Sequence, residues 1–133
     1  MANTTFSGPV RSENGFEQVT KNATTGAFTT SATYGASITG GVQQLSGAGA
    51  VDITNLVTEI TTTGADALTL ANGSAGQIKI ITMVVDGGDG TLTPATFANG
   101  TTITFNDAND TVALLYANTI GWVIISNSGA TVA

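Results

Sequence analysis

Two short segments concentrate oxygen-bearing side chains that could bind a hard cation. Segment 86–90 reads Asp-Gly-Gly-Asp-Gly, and segment 106–110 reads Asn-Asp-Ala-Asn-Asp. Such oxygens are ligands for Ca²⁺, but neither segment follows the EF-hand pattern. Asp and Asn beside Gly also favour tight turns, because Gly adopts positive φ and the short side chains bond to nearby backbone. We predict turns and no metal site, leaving open whether Asp86 with Asp89, or Asp107 with Asp110, binds a cation.

Hydrolytic chemistry would need a pair of carboxylates, and Asp52 with Glu59 is one possible pair. The chain has no His and no Cys, so the usual general base, the commonest zinc ligand and thiol nucleophiles are missing. The glycine-rich stretches 40–41 and 47–49 lack the lysine and the following helix of a phosphate-binding loop. The sequence therefore predicts no enzyme activity, no catalytic residue and no cofactor.

Charged side chains are scarce in this chain of 133 residues. Asp, Glu, Lys and Arg make up 9% of it, whereas an ordinary soluble domain carries about a quarter. The cations are Arg11, Lys21 and Lys79, and the net charge is −6, so binding to a nucleic-acid backbone has no electrostatic basis. No apolar run approaches the length of a membrane helix, and residues 1–10 lack the features of a signal peptide. We expect synthesis in the cytoplasm, with no nucleic acid and no membrane as partners.

Apolar residues are distributed unevenly along the chain. Residues 1–49 are rich in Thr, Ser, Gly and Asn and are predicted to form an N-terminal arm, with short strands at 15–21 and 27–34. Residues 50–133 alternate short apolar runs with turn signals, which favours an all-β domain. Eight short strands indicate an antiparallel β-sandwich, in particular a jelly roll. These strands are expected at 51–54, 56–62, 67–70, 77–85, 91–93, 101–105, 111–117 and 120–126.

The strongest of these strands are apolar on both faces. An antiparallel sheet normally exposes one face to water, and no helix is predicted that could cover a second apolar face. We therefore predict that this second face meets another subunit. The predicted interface residues are Ile81, Met83, Val85, Leu115, Val123 and Ile125. The alternative is that the arm folds back over this face within one chain.

The aromatic residues suggest two further contacts. Trp122 is the only Trp and could serve as a platform for sugars, but its neighbours Ile120 and Ile124 favour a packed position. The aromatic residues of the arm have few apolar neighbours, which is typical of anchors in a separate protein surface. The alternative is that they dock onto their own sandwich. The predicted arm contact comprises Phe6, Pro9, Val10, Arg11 and Phe16.

Six short strings between residues 65 and 125 carry a family resemblance. They lie at 67–70, 76–85, 88–94, 100–105, 110–115 and 121–125 and together cover roughly half of the chain. These strings resemble a β-module found in virion structural proteins of marine tailed bacteriophages. The resemblance implies a head decoration protein or a head or tail fibre protein, and it brings no catalytic or ligand residue.

A decoration, or cement, protein agrees best with the two predicted parts of the chain. Its β-domain would form a homotrimer, and its arm would bind the major capsid protein and stabilise the head. The expected location is then the capsid surface of the virion. The alternative is a fibre or receptor-binding protein that contacts host surface glycans. The sequence leaves open the position on the capsid lattice and whether the arm is swapped between subunits.

Overall fold

The chain divides into two compact units, Met1–Thr39 and Gly40–Ala133. A computed structural model describes residues 16–34 and 41–133. In the first unit, β1 (Phe16–Lys21) and β2 (Phe28–Tyr34) form an antiparallel hairpin. Its turn is held by Asn22, whose Oδ1 accepts hydrogen bonds from the backbone N–H groups of Thr24 and Thr25 at 2.8 and 2.9 Å. The bounds of both strands agree within one residue with the strands predicted in the arm, 15–21 and 27–34.

The second unit contains ten strands, and no helix occurs among the residues described. The boundary predicted after residue 49 falls inside one of these strands. The strands are β3 (Val42–Ser46), β4 (Gly49–Val51), β5 (Val57–Thr61), β6 (Asp66–Leu70), β7 (Ile78–Val85), β8 (Gly90–Pro94), β9 (Ile103–Phe105), β10 (Thr111–Ala117), β11 (Gly121–Ser128) and β12 (Thr131–Val132).

These strands form two five-stranded sheets that share one core. Sheet I has the order β11-β10-β7-β5-β3, and sheet II has the order β12-β9-β8-β6-β4. From β3 to β8 the chain changes sheet after every strand, so that β3, β5 and β7 are parallel in sheet I and β4, β6 and β8 are parallel in sheet II. The remaining strands pair antiparallel. Strands β3 to β8, the first six of the second unit, thus wind as three successive coils.

The prediction of an antiparallel sandwich is therefore wrong in one respect, because both sheets are mixed. The reason lies in the connections 47–48, 62–65 and 86–89, which cross between the sheets as corners rather than closing hairpins within one sheet. Consecutive corners bond to each other: the Gly47 N–H donates to the Thr61 carbonyl at 2.9 Å, and the Asp66 N–H donates to the Asp89 carbonyl at 2.9 Å. The all-β class is confirmed and is consistent with a β-sandwich, whereas an eight-stranded jelly roll is not confirmed.

The core is built from one face of each strand in both sheets. Burial alternates along β7, β8 and β10, as expected for strands that place every second side chain on the inner face. Sheet I contributes Ile60, Ile81, Met83, Val112, Leu114, Tyr116 and Trp122, and sheet II contributes Val51, Leu68, Leu70, Leu92, Ile103 and Phe105.

Gly121, at the start of β11, is required where a loop of sheet II crosses to sheet I. Its φ is +82°, and a Cβ there would overlap the carbonyl oxygen of Thr96. The close approach lets the Trp122 N–H donate to Thr96 O at 3.0 Å and the Ala98 N–H donate to Trp122 O at 2.9 Å. These bonds join segment 96–98 to β11.

A series of Gly→Ala substitutions separates backbone strain from crowding. Gly64→Ala, with open space and no positive φ, should change the free energy of unfolding by less than about 0.5 kcal/mol. Gly76→Ala, with φ +81° but open space, should cost about 1–2 kcal/mol. Gly121→Ala should cost more than Gly76→Ala, because overlap with Thr96 adds to the strain. Urea unfolding of the three variants measures this order, and equal losses at positions 76 and 121 would contradict it.

Candidate functional site

The outer face of sheet I is divided into an apolar half and a polar half. The strand register places Val42, Val57, Ile80 and Ala113 in one row across β3, β5, β7 and β10. A second row joins Ile78, Leu115 and Val123 across β7, β10 and β11. These seven residues are called the apolar half. Since they include no charge, this half offers an uncharged surface on a chain of net charge −6.

The polar half continues the same strands in the other direction, up to Val84, an exposed apolar side chain near the end of β7. The register aligns Gln44, Glu59, Thr82 and Thr111 in one row. Within it, the Gln44 side-chain amide donates to the Glu59 carboxylate at 3.3 Å, and the hydroxyls of Thr82 and Thr111 are 2.8 Å apart. The side chains of this row thus form hydrogen bonds with their neighbours on the adjacent strand.

Large side chains in the apolar half remain accessible to solvent. Val42 is 52% exposed and Ile78 is 45% exposed. Val57, Ile80, Leu115 and Val123 are half-buried. Exposed apolar side chains scattered singly need no explanation, but a contiguous group marks a surface for contact with another molecule. The apolar half is therefore the candidate functional site.

The six residues predicted to form the subunit interface are not brought to one face. The prediction is wrong for Ile81 and Met83, because both side chains are fully buried in the core of their own chain. The error comes from β7, whose two faces are both apolar: the structure turns Lys79, Ile81 and Met83 inward and Ile78 and Ile80 outward.

The other four predicted interface residues do reach the surface. Leu115 and Val123 lie side by side in the apolar half. Val85 is 51% exposed at the end of β7, and Ile125 is 55% exposed beside the irregularity in the pairing of β10 with β11. Leu115 and Val123 are thus the two predicted residues that the structure places within the candidate site.

The predicted arm contact lies almost entirely outside the described residues. This holds for Phe6, Pro9, Val10 and Arg11. Phe16 is described as the first residue of β1. The predicted contact of the arm stays a prediction.

Lys79 is buried in the interior, although Lys is seldom buried without a partner. Its Nζ donates to the carbonyl oxygen of Asn55 at 2.8 Å, which fixes the loop between β4 and β5 against β7. Burial lowers the pKa of Lys79, because the charged form is poorly solvated there, and the negative charge of Asp52 opposes that shift in part. The loop thus binds the ammonium group on the inner side of sheet I.

Asp52 organises the same loop. Its carboxylate accepts hydrogen bonds from the backbone N–H groups of Thr54 and Asn55 at 2.9 and 2.8 Å and from the Asn55 side-chain amide at 2.7 Å. Burial alone would raise the pKa of Asp52, but these hydrogen bonds, together with the charge of Lys79, lower it below 3.8. The Asp52 carboxylate therefore binds its own loop, whereas Glu59 lies on the outer face beside Gln44. The two carboxylates are thus not arranged as a catalytic pair.

Both Asp/Asn segments form the predicted turns. Asp86 Oδ1 accepts a hydrogen bond from the Gly88 N–H at 2.9 Å. Asp110 Oδ2 accepts hydrogen bonds from the N–H groups of Asn106 and Asp107 at 2.9 and 3.1 Å. Within the described part of the chain, no group of three or more His, Cys, Asp and Glu side chains could hold a metal ion.

Trp122 is fully buried, so its predicted packed position is confirmed. Its Nε1 donates to the Ala71 carbonyl at 2.9 Å. Tyr116 meets it edge to face, with ring centroids 5.2 Å apart and planes at 73°. Trp122 therefore stabilises the core and offers no aromatic platform to a ligand.

A cavity that the sequence does not predict lies beside the edge strand β3. It measures about 360 Å³ and is lined by Gln44, Leu45, Ser46, Glu59, Thr61 and Val84. The sequence places residues 42–46 in the arm, because they lie in its polar, glycine-rich stretch. The signal that could have placed them in the sandwich is the apolar Val42 and Leu45 just before the glycine-rich corner at 47–49.

Lys79→Met tests the burial of the ammonium group. Because the pKa of Lys79 in the native protein lies below the usual 10.5, the unfolded chain binds the proton more tightly. The free energy of unfolding of the wild type should therefore rise, relative to Lys79→Met, as the pH increases from the lowered pKa toward 10.5. Urea unfolding of both proteins between pH 7 and pH 10.5 measures this difference. A difference that does not depend on pH would contradict the lowered pKa.

No family model matches the sequence, and no curated protein matches it.

Proposed function

We propose that this chain is a structural virion protein, a capsid decoration (cement) protein that forms a homotrimer and binds the major capsid protein. The observation that supports it most directly is the uncharged apolar half of sheet I. A second support is the family resemblance of the strings between residues 65 and 125. Its proposed location is the capsid surface, after synthesis in the host cytoplasm.

Trimerisation through the apolar half would remove this surface from water. Burial of apolar area contributes about 25 cal/mol per Å², so covering several half-exposed Val, Ile and Leu side chains would offset part of the entropic cost of association. Leu115 and Val123 lie among these residues, next to Ile78. The net charge of −6 keeps the free subunits soluble before assembly.

The arm would attach the trimer to the shell. Its contact residues are proposed to be Phe6, Pro9, Val10, Arg11 and Phe16, which combine apolar anchors with one cation. A protein that binds the assembled shell, and not its separated parts, stabilises the shell by mass action. Cross-linking of capsomers by such arms would resist the internal pressure of a packaged genome.

Two other functions receive less support. An enzyme is disfavoured because Asp52, Asp86 and Asp110 each accept hydrogen bonds from the backbone of their own turn or loop. A receptor-binding fibre tip predicts an exposed aromatic surface near Trp122, whose side chain is buried. We therefore propose no catalytic activity, no cofactor and no contact with nucleic acid or membrane. For the described residues, no helix is long and apolar enough to cross a membrane.

Leu115→Lys tests the trimer. The new charge lies within the apolar half, so its desolvation should dissociate the trimer into monomers. Thr69→Lys is the matched control, because Thr69 is exposed on the outer face of sheet II. Sedimentation velocity should show smaller particles for Leu115→Lys and unchanged particles for Thr69→Lys, with circular dichroism confirming that both fold. A trimer that persists in Leu115→Lys would place the interface elsewhere.

Deletion of residues 1–35 tests the arm. Purified shells lacking the protein should bind the full chain at high copy number and should lose binding of the truncated chain, which retains residues 41–133 and thus the whole two-sheet unit. Quantitative gel analysis of sedimented shells gives the occupancy. Binding of both chains at equal occupancy would contradict the role of the arm, and only a few copies per virion would favour a fibre.

A further inference from the structure

The two-sheet unit has four edge strands within residues 41–133. They are β3 and β11 in sheet I and β4 and β12 in sheet II. An edge strand presents unpaired N–H and C=O groups that can pair with another chain. Proteins usually protect such edges by short length, charged residues, Pro or a bulge.

Three of these edges carry such protection. β12 has two residues, and β4 has three, with the Ala50 carbonyl already accepting a hydrogen bond from the Gln43 side chain at 2.9 Å. β11 pairs with β10 through an irregular register between Ala113 and Leu114. None of these three strands offers a long, regular edge.

β3 lacks every one of these protections. It has five residues, Val-Gln-Gln-Leu-Ser, without a charge or a Pro, and its register with β5 is regular throughout. The Val57 N–H donates to the Gly41 carbonyl at 3.1 Å, and the Gly47 N–H donates to Thr61 O at 2.9 Å. Because a parallel ladder engages alternate residues of a strand, Gln43 and Leu45 bond to β5.

The remaining residues of β3 point their backbone groups away from the sheet. Val42, Gln44 and Ser46 therefore direct their N–H and C=O groups toward the open edge, while their side chains are exposed on the outer face. This alternation leaves three consecutive hydrogen-bonding positions, which is the pattern that an antiparallel partner strand engages.

We propose that β3 pairs antiparallel with β3 of a second copy of this chain, about a two-fold axis at Gln44. Gln44 of one copy then faces Gln44 of the other, and Val42 faces Ser46. The sequence of the strand fits this register, since no charge meets a like charge and Val42, which is 52% exposed in the single chain, gains Ser46 of the second copy as its cross-strand neighbour. Sheet I would continue from one copy into the next.

The acidic residue in the same row as Gln44 does not oppose this contact. Glu59 lies on β5, one strand inward from β3. In the paired arrangement, three strand spacings separate the two Glu59 side chains, about 14 Å. This separation exceeds the Debye length at physiological salt, about 8 Å, so their repulsion is largely screened.

The edge contact and the proposed trimer contact share Val42 but differ in the rest of their residues. The former uses the backbone of β3, and the latter uses side chains centred on β7, β10 and β11. The edge contact requires only a second copy and does not rest on the proposed function. If both contacts form, pairs of trimers associate; if only the edge contact forms, the chain is a dimer.

Gln44→Pro tests the edge contact. Proline removes the Gln44 N–H, which faces away from β5, so an edge strand tolerates the substitution. The matched control, Gln44→Thr, keeps that N–H and changes the same side chain. Sedimentation velocity over a concentration series should show doubling of the associating unit for the wild type and Gln44→Thr. For Gln44→Pro the association should be weaker by about tenfold or more, because two symmetric hydrogen bonds are lost.

A charge exchange tests the register and remains informative if Gln44→Pro fails to fold. Val42→Lys with Ser46→Lys places like charges opposite each other and should prevent doubling. Val42→Glu with Ser46→Lys places opposite charges together and should restore it. The proposal is overturned if the wild type does not double at any concentration, or if Gln44→Pro or the double-lysine variant doubles as the wild type does. These outcomes are independent of whether the chain binds capsids.

Discussion

Burial of one face of every strand against the opposite sheet is the interaction on which the rest of this structure depends. Because the chain changes sheet at each corner from β3 to β8, neither sheet can form without the other. The corners add a second constraint, since each bonds to the next one: Gly87 N–H donates to the Thr62 hydroxyl at 2.9 Å, and Thr62 N–H donates to the Val85 carbonyl at 3.0 Å. The parallel pairing of the coils follows from this stacking of corners.

The inner layer also contains polar groups that determine where the loops lie. Gln43 Oε1 accepts hydrogen bonds from the Asp52 N–H at 2.9 Å and from the Thr58 hydroxyl at 2.8 Å. Lys79 then binds the Asn55 carbonyl. For the side chains described, no buried polar atom lacks a partner. This network connects β3, β5 and β7 at one end of the core, so the polar residues inside the sandwich specify its loop structure while the apolar ones supply most of the burial.

Three features could be predicted from the sequence, because each depends on local chemistry. They are the all-β class, the turns at 86–90 and 106–110, and the packed position of Trp122. The mixed sheets could not, because a short glycine-rich connection is compatible with a hairpin in one sheet or with a corner between two. The prediction that Ile81 and Met83 lie on the outer face is wrong for a related reason. β7 is apolar on both sides, so its alternation does not say which side faces in, and Lys79 points to the side that a charge normally avoids.

The proposed function depends on the apolar half of sheet I. Association through this surface would also explain why the chain carries so few charges. If this surface is covered in the assembled protein, a chain with 9% charged residues needs fewer charges to remain soluble than a free monomer would. The most direct measurement is the native mass of the full chain by light scattering at low micromolar concentration. The expected mass is that of a trimer, three times 13.3 kDa. It is twice the trimer mass if the β3 edges of two trimers also pair. A particle of 13.3 kDa would contradict the proposed trimer.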